Sequence, residues 1–486
     1  MDAARIEKLD RGFHPRAIVV IGDKRPNYQW LNAYKGYTGG PVYSVQIDPN
    51  EIPGIEAMGI KNFKSLEEIP GPVDYAMVAV PKRFLPRIVQ DCIKKNVSVV
   101  ACYTSGFAET HEEEGIRLQA EVQKIAREGK LELVGPNCMG IGTLPLNFGQ
   151  SGWKTNWDTS KVAPMSAVIS MSGANAAALV GQFNEHGMPV KKAVSMGNGI
   201  VLDQADWLEY FSLDPDVKII GMYIEGVSDG RKFFNALKKV APLKPVVILK
   251  GGQTAQGARA ASSHTGSLAS SQEIFRTALK QAGAIGVNTP EEAADVAKIL
   301  MMTRPIRGIR LGIIAGAGGP SVLVSDAIGR ENLQLAVFED RHYDILKNWF
   351  TSTGNSYRNP LDTTGMLTTT DAARRMLDIL NEDANVDVMC MDVREFGQGG
   401  RNVRQEDFEK GMFDLLEEYN RNAKKPFVVM QGGSEEAYLK YRPLLRDRGV
   451  PAIFTFARSA LAIRRAYDYY QQLAVIKGEV EVGAGR

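Results

Sequence analysis

Ala167-Val168-Ile169-Ser170-Met171-Ser172-Gly173 is an apolar run that ends in a glycine, and Ala174 to Phe183, rich in small residues, follows it. A short run of this kind reads as a buried strand, and the stretch behind it as a helix. The same order of features returns later. Leu311-Gly312-Ile313-Ile314-Ala315-Gly316-Ala317-Gly318-Gly319-Pro320 is again a strand running into glycines, with Ser321 to Ile328 as its helix. Outward from Gly173, Val190 to Val194 is a strand ending at Met196-Gly197-Asn198, and Lys218 to Glu225 is a strand ending in a carboxylate. Pro245 to Lys250 is another, followed by Gly251-Gly252. Outward from Gly319, the matching places go to Leu333 to Val337, Asn359-Pro360-Leu361-Asp362, Val386 to Val393 with Arg394-Glu395, and Phe427 to Met430 with Gly432-Gly433. The period of roughly 150 residues is too long for a solenoid.

The two blocks read as two copies of one flavodoxin-like α/β domain. The first third is α/β as well. Arg16 to Gly22, Val42 to Asp48, Val73 to Val80, Val97 to Cys102 and Leu131 to Val134 are strands. Phe84, Leu85, Ile88, Val89, Cys92 and Ile93 share one helical face, and Glu112 to Glu128 is a charged amphipathic helix. Strands alternating with helices give a parallel, Rossmann-like sheet. Three domains are expected, at 1–150, 151–305 and 306–486, with joints in the polar or proline-bearing stretches 150–165 and 303–310.

Ligands of such sheets sit outside the carboxyl ends of the strands. In the first domain those ends carry Gly22-Asp23-Lys24-Arg25, Asp48-Pro49-Asn50, Val80-Pro81, Thr104-Ser105-Gly106-Phe107 and Gly135-Pro136-Asn137-Cys138. Each alone is ordinary turn chemistry; five at successive strand ends suggest a nucleotide-like crevice. A full G-x-G-x-x-G is absent after Gly22, so a hydride-transfer dehydrogenase lacks its motif.

His264, one of five histidines, stands in Ala260-Ala261-Ser262-Ser263-His264-Thr265-Gly266-Ser267. Small neighbours leave a ring nitrogen approachable, and hydroxyls and amides beside it can hold an oxyanion. Either this is a turn with a structural histidine, or the ring is a nucleophile that carries a phosphoryl group. Three glycine-bearing helix starts, at Ser172-Gly173, Gly318-Gly319 and Phe396-Gly397-Gln398-Gly399-Gly400, offer amides and a dipole to an anion. Glu225 either stands solvated at its strand end or holds the second imidazole nitrogen and fixes its tautomer. Asp203 and Asp206 are explained by helix capping.

Composition sets limits. At 486 residues with 44% apolar and 23% charged residues, the chain has material for several cores. A net charge of +2 builds no field for nucleic acid or an anionic membrane. Cys92, Cys102, Cys138 and Cys390 form no C-x-x-C pair, so no metal site or disulfide framework is expected and a reduced, cytoplasmic setting is. The charged start, Met1 to Asp10, lacks the apolar region of a signal peptide, and no run is long enough to span a bilayer.

Taken together, these strings resemble the alpha subunit of the NDP-forming acyl-CoA synthetases, the ADP-forming acetate–CoA ligases of the succinyl-CoA ligase-like superfamily. Carrying the resemblance are Gly135-Pro136-Asn137-Cys138, Gly197-Asn198 with Asp203 and Asp206, Tyr223 to Gly226 with Asp229 to Lys232, and Gly257 to Leu268 through Ser-His-Thr-Gly. Gly318-Gly319-Pro320 and Asn359 to Asp362 continue it, over about residues 13–470.

The resemblance implies a coenzyme A-binding Rossmann-like domain and two succinyl-CoA ligase-like flavodoxin domains. It also implies a reaction in which acyl-CoA, phosphate and ADP (or GDP) interconvert with acid, CoA and ATP (or GTP). The phosphoryl group would pass through an acyl phosphate to His264, stabilised by Glu225. CoA would meet the strand ends of the first domain, and phosphate or acyl groups would meet Ser172, Gly173, Gly197, Asn198, Gly318 and Gly319. The nucleotide and its Mg would sit on a separate ATP-grasp beta subunit of a hetero-oligomer. The chain departs from the family at Gly22 to Pro26, where a small-residue turn is usual, and at Met171, where Gln or Arg is usual. Those departures leave one alternative, a non-catalytic CoA-binding or regulatory protein of the same fold.

Overall fold

The computed structural model describes residues 1–149, 153, 162–163, 165–262, 272–350, 354–394 and 404–479. Two compact units divide it, Met1–Ala293 and Ala294–Arg486.

The first unit holds two sheets. Strands β1 (Ile18–Ile21), β2 (Val42–Val45), β3 (Lys61–Phe63), β4 (Tyr75–Val78), β5 (Val99–Cys102) and β6 (Glu132–Val134) run parallel in the order β3-β2-β1-β4-β5-β6. That is the doubly wound order whose crevice opens at the carboxyl ends of the strands. β1, β4 and β5 are buried along their whole length, which explains their unbroken apolar runs, Ile-Val-Val-Ile, Tyr-Ala-Met-Val and Val-Val-Ala-Cys. The second sheet comprises β7 (Gly140–Thr143), β8 (Ser166–Ser170), β9 (Val190–Ser195), β10 (Ile219–Ile224), β11 (Val246–Lys250) and β12 (Ile285–Val287), in the order β12-β11-β10-β8-β9-β7. β8 to β12 are parallel in the flavodoxin order. β7 lies ahead of the joint expected at residue 150, yet it pairs antiparallel with β9.

The amino-terminal helix Ala3–Phe13 joins the two sheets. Phe13 packs against Trp207, Tyr210 and Phe211 of the second sheet's helix Gln204–Leu213. Arg5 bridges Glu132 and Asp206, and the Tyr210 hydroxyl donates to Asp10 at 2.6 Å.

The second unit repeats the flavodoxin order. β13 (Arg310–Ala315), β14 (Gln334–Leu335), β15 (Leu361–Asp362), β16 (Val388–Asp392), β17 (Phe427–Gln431) and β18 (Ala452–Phe454) form a sheet ordered β14-β13-β16-β17-β18, with β15 on β13. Asn359 locks its centre: its amide donates to the carbonyls of Leu311 and Ala336 and accepts from Ile313. Among the described residues, no helix is long and apolar enough to cross a membrane.

Candidate active site

At the carboxyl edge of the first sheet, Gly22 leaves β1 at φ +83°, and a Cβ there would lie 2.6 Å from Val80 at the end of β4. The adjoining strand ends therefore close on each other with no room for a side chain. Lys24 and Arg25 follow, both exposed. Arg25 reaches Glu51 at 3.4 Å and the Asn50 carbonyl at 3.3 Å, tying the β1 turn to the β2 turn. In that second turn Asp48 accepts from the backbone and side-chain nitrogens of Asn50, and Asp48, Pro49 and Asn50 are all exposed. Pro81 and Ser105 are exposed at the ends of β4 and β5, Gly106 turns at φ +95°, and Asn137 is exposed after β6.

Around this rim stand Ile47, Phe84 and Tyr103, large apolar side chains that are 77%, 47% and 40% exposed. Arg83 lies over the Phe84 ring. Exposed apolar side chains and the exposed cations Lys24, Arg25 and Arg83 therefore share the turns at the carboxyl edge of this sheet. Sequence reasoning put Ile47 inside the second strand and Phe84 on a helical face, and passed over Tyr103; the strand ends at Val45 and Phe84 lies in the turn ahead of its helix, which leaves both exposed.

Two residues expected on this rim do other work. Asp23 is buried; its carboxylate accepts from the Lys24, Trp30 and Leu31 amides, and burial raises it above the usual carboxylate range. It anchors the start of helix Gln29–Tyr34 instead of facing a ligand. Cys138 is buried too; its thiol donates to the Cys102 and Val134 carbonyls, and burial pushes it up to about 12.

Gly197 and Asn198 require a larger correction. A Cβ on Gly197 would fall 2.2 Å from the Pro136 carbonyl oxygen and 2.3 Å from that of Asn137. The Asn198 backbone N–H donates to Pro136, and its side-chain amide donates to Glu109 at 2.7 Å and Gln119 at 2.9 Å. This turn is the clasp between the first two sheets, and the Asn198 donors are spent on protein. Glu109 is itself held by the Gly106 and Phe107 amides.

At the carboxyl edge of the second sheet, Ser172 caps helix Gly173–Glu185, accepting from Asn175. Glu225 follows β10, half-buried, and the Tyr223 hydroxyl donates to its Oε1 at 3.0 Å. Residues two apart on a strand share a face, which is why Tyr223 can reach it. Burial, and then the neighbouring carboxylate, raise the Tyr223 phenol. Met171 uses its sulfur as acceptor for the Glu225 N–H and the Gln204 amide, each at 3.3 Å. Lys250, buried at the end of β11, donates to the carbonyls of Glu225 and Gly251, and burial lowers its pKa. From there Gly251-Gly252 leads into helix Ala255–Ser262. His264 comes next and lies outside the described residues. Asp203 and Asp206 form the expected capping box, held by Lys232 at 2.8 Å from each.

In the second unit, helix Gly318–Arg330 begins with Gly318 and Gly319 exposed. A Cβ on Gly318 would come 3.0 Å from the buried Asp362 carboxylate, so this helix start carries a negative neighbour. The glycine-rich stretch Phe396 to Gly400 lies outside the described residues.

Comparison with known proteins places these edges in a family. Residues 16–143 match a CoA binding domain and residues 164–300 a succinyl-CoA ligase-like flavodoxin domain. The chain is 34% identical over 479 residues to the alpha subunit of ADP-forming acetate–CoA ligase II from Pyrococcus furiosus, covering 97% of this chain and 99% of that one. It is 32% identical over 367 residues to an ADP-forming 4-hydroxybutyrate–CoA ligase of Nitrosopumilus maritimus, covering 72% of this chain and 50% of the relative. Among solved structures, the dinucleotide-forming acetyl-coenzyme A synthetase 1 of Ca. Korarchaeum cryptofilum, in complex with phosphate and ADP, superposes with a TM-score of 0.80 at 28% identity, covering 98% of this chain and 99% of that one. The chain belongs to the ADP-forming acyl-CoA synthetases, in the alpha-subunit arrangement of a CoA-binding domain followed by succinyl-CoA ligase-like flavodoxin domains.

Proposed function

We propose that the chain is the alpha subunit of an NDP-forming acid–CoA ligase that works through a phosphohistidine at His264, in three domains at 1–150, 151–305 and 306–486. A small carboxylic acid and its CoA thioester are the substrates, and a separate ATP-grasp beta subunit supplies the nucleotide site with its Mg. The observation that carries this reading is Glu225. Its carboxylate is fixed on one oxygen by Tyr223, one strand away from β11, whose continuation runs into the histidine loop.

In the acyl-CoA direction, a phosphate oxygen attacks the thioester carbonyl and the CoA thiolate leaves. The acyl phosphate then gives its phosphoryl group to a nitrogen of His264, releasing the carboxylate. Glu225 accepts the N–H of the other ring nitrogen, keeping the attacking nitrogen unprotonated and stabilising the positive ring that forms. ADP or GDP takes the phosphoryl group last. CoA is held by the rim of the first sheet, with Lys24 and Arg25 toward its phosphates and Ile47, Phe84 and Tyr103 toward its apolar parts.

The test is to incubate the full chain with a panel of acyl-CoAs and labelled phosphate. Acid-labile label on wild type, lost in His264→Ala and sharply reduced in Glu225→Gln, is expected. Acyl-CoA binding without label under any substrate or partner would replace this reading with that of a non-catalytic CoA-binding protein.

A further inference from the structure

Glu225 and the segment that leads to the histidine leave neighbouring strands, and one buried ammonium ties the two departures together. β10 and β11 are parallel, with their last residues, Ile224 and Lys250, across from each other. The Gly251 N–H still reaches the Ile224 carbonyl at 2.8 Å. The next carbonyl on each chain, that of Glu225 and that of Gly251, is taken by the Lys250 ammonium, at 2.5 and 2.6 Å. Lys250 is 8% exposed, and its Nζ lies 5.9 Å from the centre of the Phe275 ring. Phe275 stands on helix Gln272–Ala282, the first helix after the histidine stretch. Lysine suits this place because its three donors rotate freely and can serve carbonyls on two strands. Bonds from a charged donor are strong where water is scarce.

Gly251 adds a second contact. A Cβ there would fall 2.6 Å from the Tyr223 hydroxyl oxygen and 3.2 Å from Glu225 Cγ. The Gly251 backbone is therefore packed on the Tyr223–Glu225 pair, and moving it moves the carboxylate. A lysine on two carbonyls is not in itself functional. Lys425 binds the Leu380 and Asp383 carbonyls at the end of helix Thr370–Glu382, and so closes that helix. What distinguishes Lys250 is whose carbonyls it holds. One belongs to Glu225, and the other opens the segment running to His264.

We propose that Lys250 is a positioning residue for the phosphoryl transfer, acting through Glu225 and through Gly251. The proposal rests on the ligase reading above for the reaction, and on the two strand ends for the positioning. Single-turnover labelling of the full chain with acyl-CoA and labelled phosphate, read beside amide exchange, tests it. Lys250→Met keeps the apolar stem beside Phe275 and cannot donate. Its labelling rate falls roughly tenfold or more, while the acyl-CoA concentration for half-maximal rate holds. Lys250→Arg, which keeps charge and donors, restores part of the rate. Amide exchange over residues 223–226 and 250–258 quickens in Lys250→Met, because the two strand ends are no longer tied. Lys425→Met lowers the denaturant midpoint and leaves both the labelling rate and this exchange at wild-type values. If Lys250→Met does not fold, Lys250→Gln carries the same expectation. A wild type that takes no label from any acyl-CoA removes the ligase reading, and the exchange then decides Lys250 alone. Wild-type exchange in folded Lys250→Met or Lys250→Gln, a wild-type labelling rate there, or an equal loss of labelling in Lys425→Met overturns the proposal.

Discussion

Asn198→Ala separates a clasp from an anion site. The substitution removes one hydrogen bond to a carboxylate and one to a neutral amide, at 2.7 and 2.9 Å. Bonds of these two kinds contribute about 1.5–3 and 0.5–1.5 kcal/mol. Glu109 keeps its two backbone donors, Gly106 and Phe107, and is 9% exposed, so water can reach the vacated oxygen. That favours the lower end, about 2 kcal/mol of destabilisation. At about 2–4 °C per kcal/mol for a body of this size, the melting temperature drops by about 4–8 °C. Differential scanning calorimetry on wild type and Asn198→Ala, with and without phosphate, reads it. A drop of equal size in both conditions, with phosphate affinity unchanged, is the expected result. A melt within about 1 °C of wild type, coupled to lost phosphate binding, would refute the clasp and return Asn198 to the ligand.

Further expectations follow from the same geometry. Gly197→Ala places a methyl against two carbonyl oxygens at 2.2 and 2.3 Å, at φ +55°; it costs about 3 kcal/mol or more from left-handed strain and overpacking, read as a lower denaturant midpoint. Asp23→Ala strands the two buried amides of Trp30 and Leu31 and frees the part-buried one of Lys24; it destabilises by about 2–4 kcal/mol, whereas Asp23→Asn, which keeps an acceptor, loses less. Lys298 is fully buried, and burial depresses its pKa to about 8. The unfolded chain therefore binds a proton that the folded chain refuses between about 8 and 10.5, so stability rises with pH across that window by up to about 1.4 kcal/mol per unit. Lys298→Met flattens that slope in urea melts. All four cysteines are buried, and burial pushes their thiols up; a thiol reagent at mildly alkaline pH is silent on the native chain and counts four after denaturation.

The long buried strands were legible because a strand covered on both faces is apolar at nearly every position. β3, β12 and β18 were not, because three-residue edge strands are stabilised by a neighbour and leave no period of their own. β7 was hidden for a related reason: Gly140-Ile141-Gly142-Thr143 is strand only where β9 offers it a ladder. In the candidate site, Glu225 and Ser172 stood out as a carboxylate at a strand end and a hydroxyl before a helix. Tyr223 was readable from the two-residue spacing and was missed. Asp23, Cys138 and Asn198 carried the right residue types at the right strand ends, but their side chains turn inward or across to a neighbouring sheet.

By itself the order of residues determined three α/β sheets, the duplication of one of them, and the histidine loop, since each is a local pattern of apolar runs, glycines and small residues. Only the tertiary structure decided which strand-end side chains are free for a ligand and which are spent on protein, and that β7 crosses to the second sheet. Those facts depend on what a side chain meets across a sheet, and that partner is set by packing between residues up to a hundred positions apart.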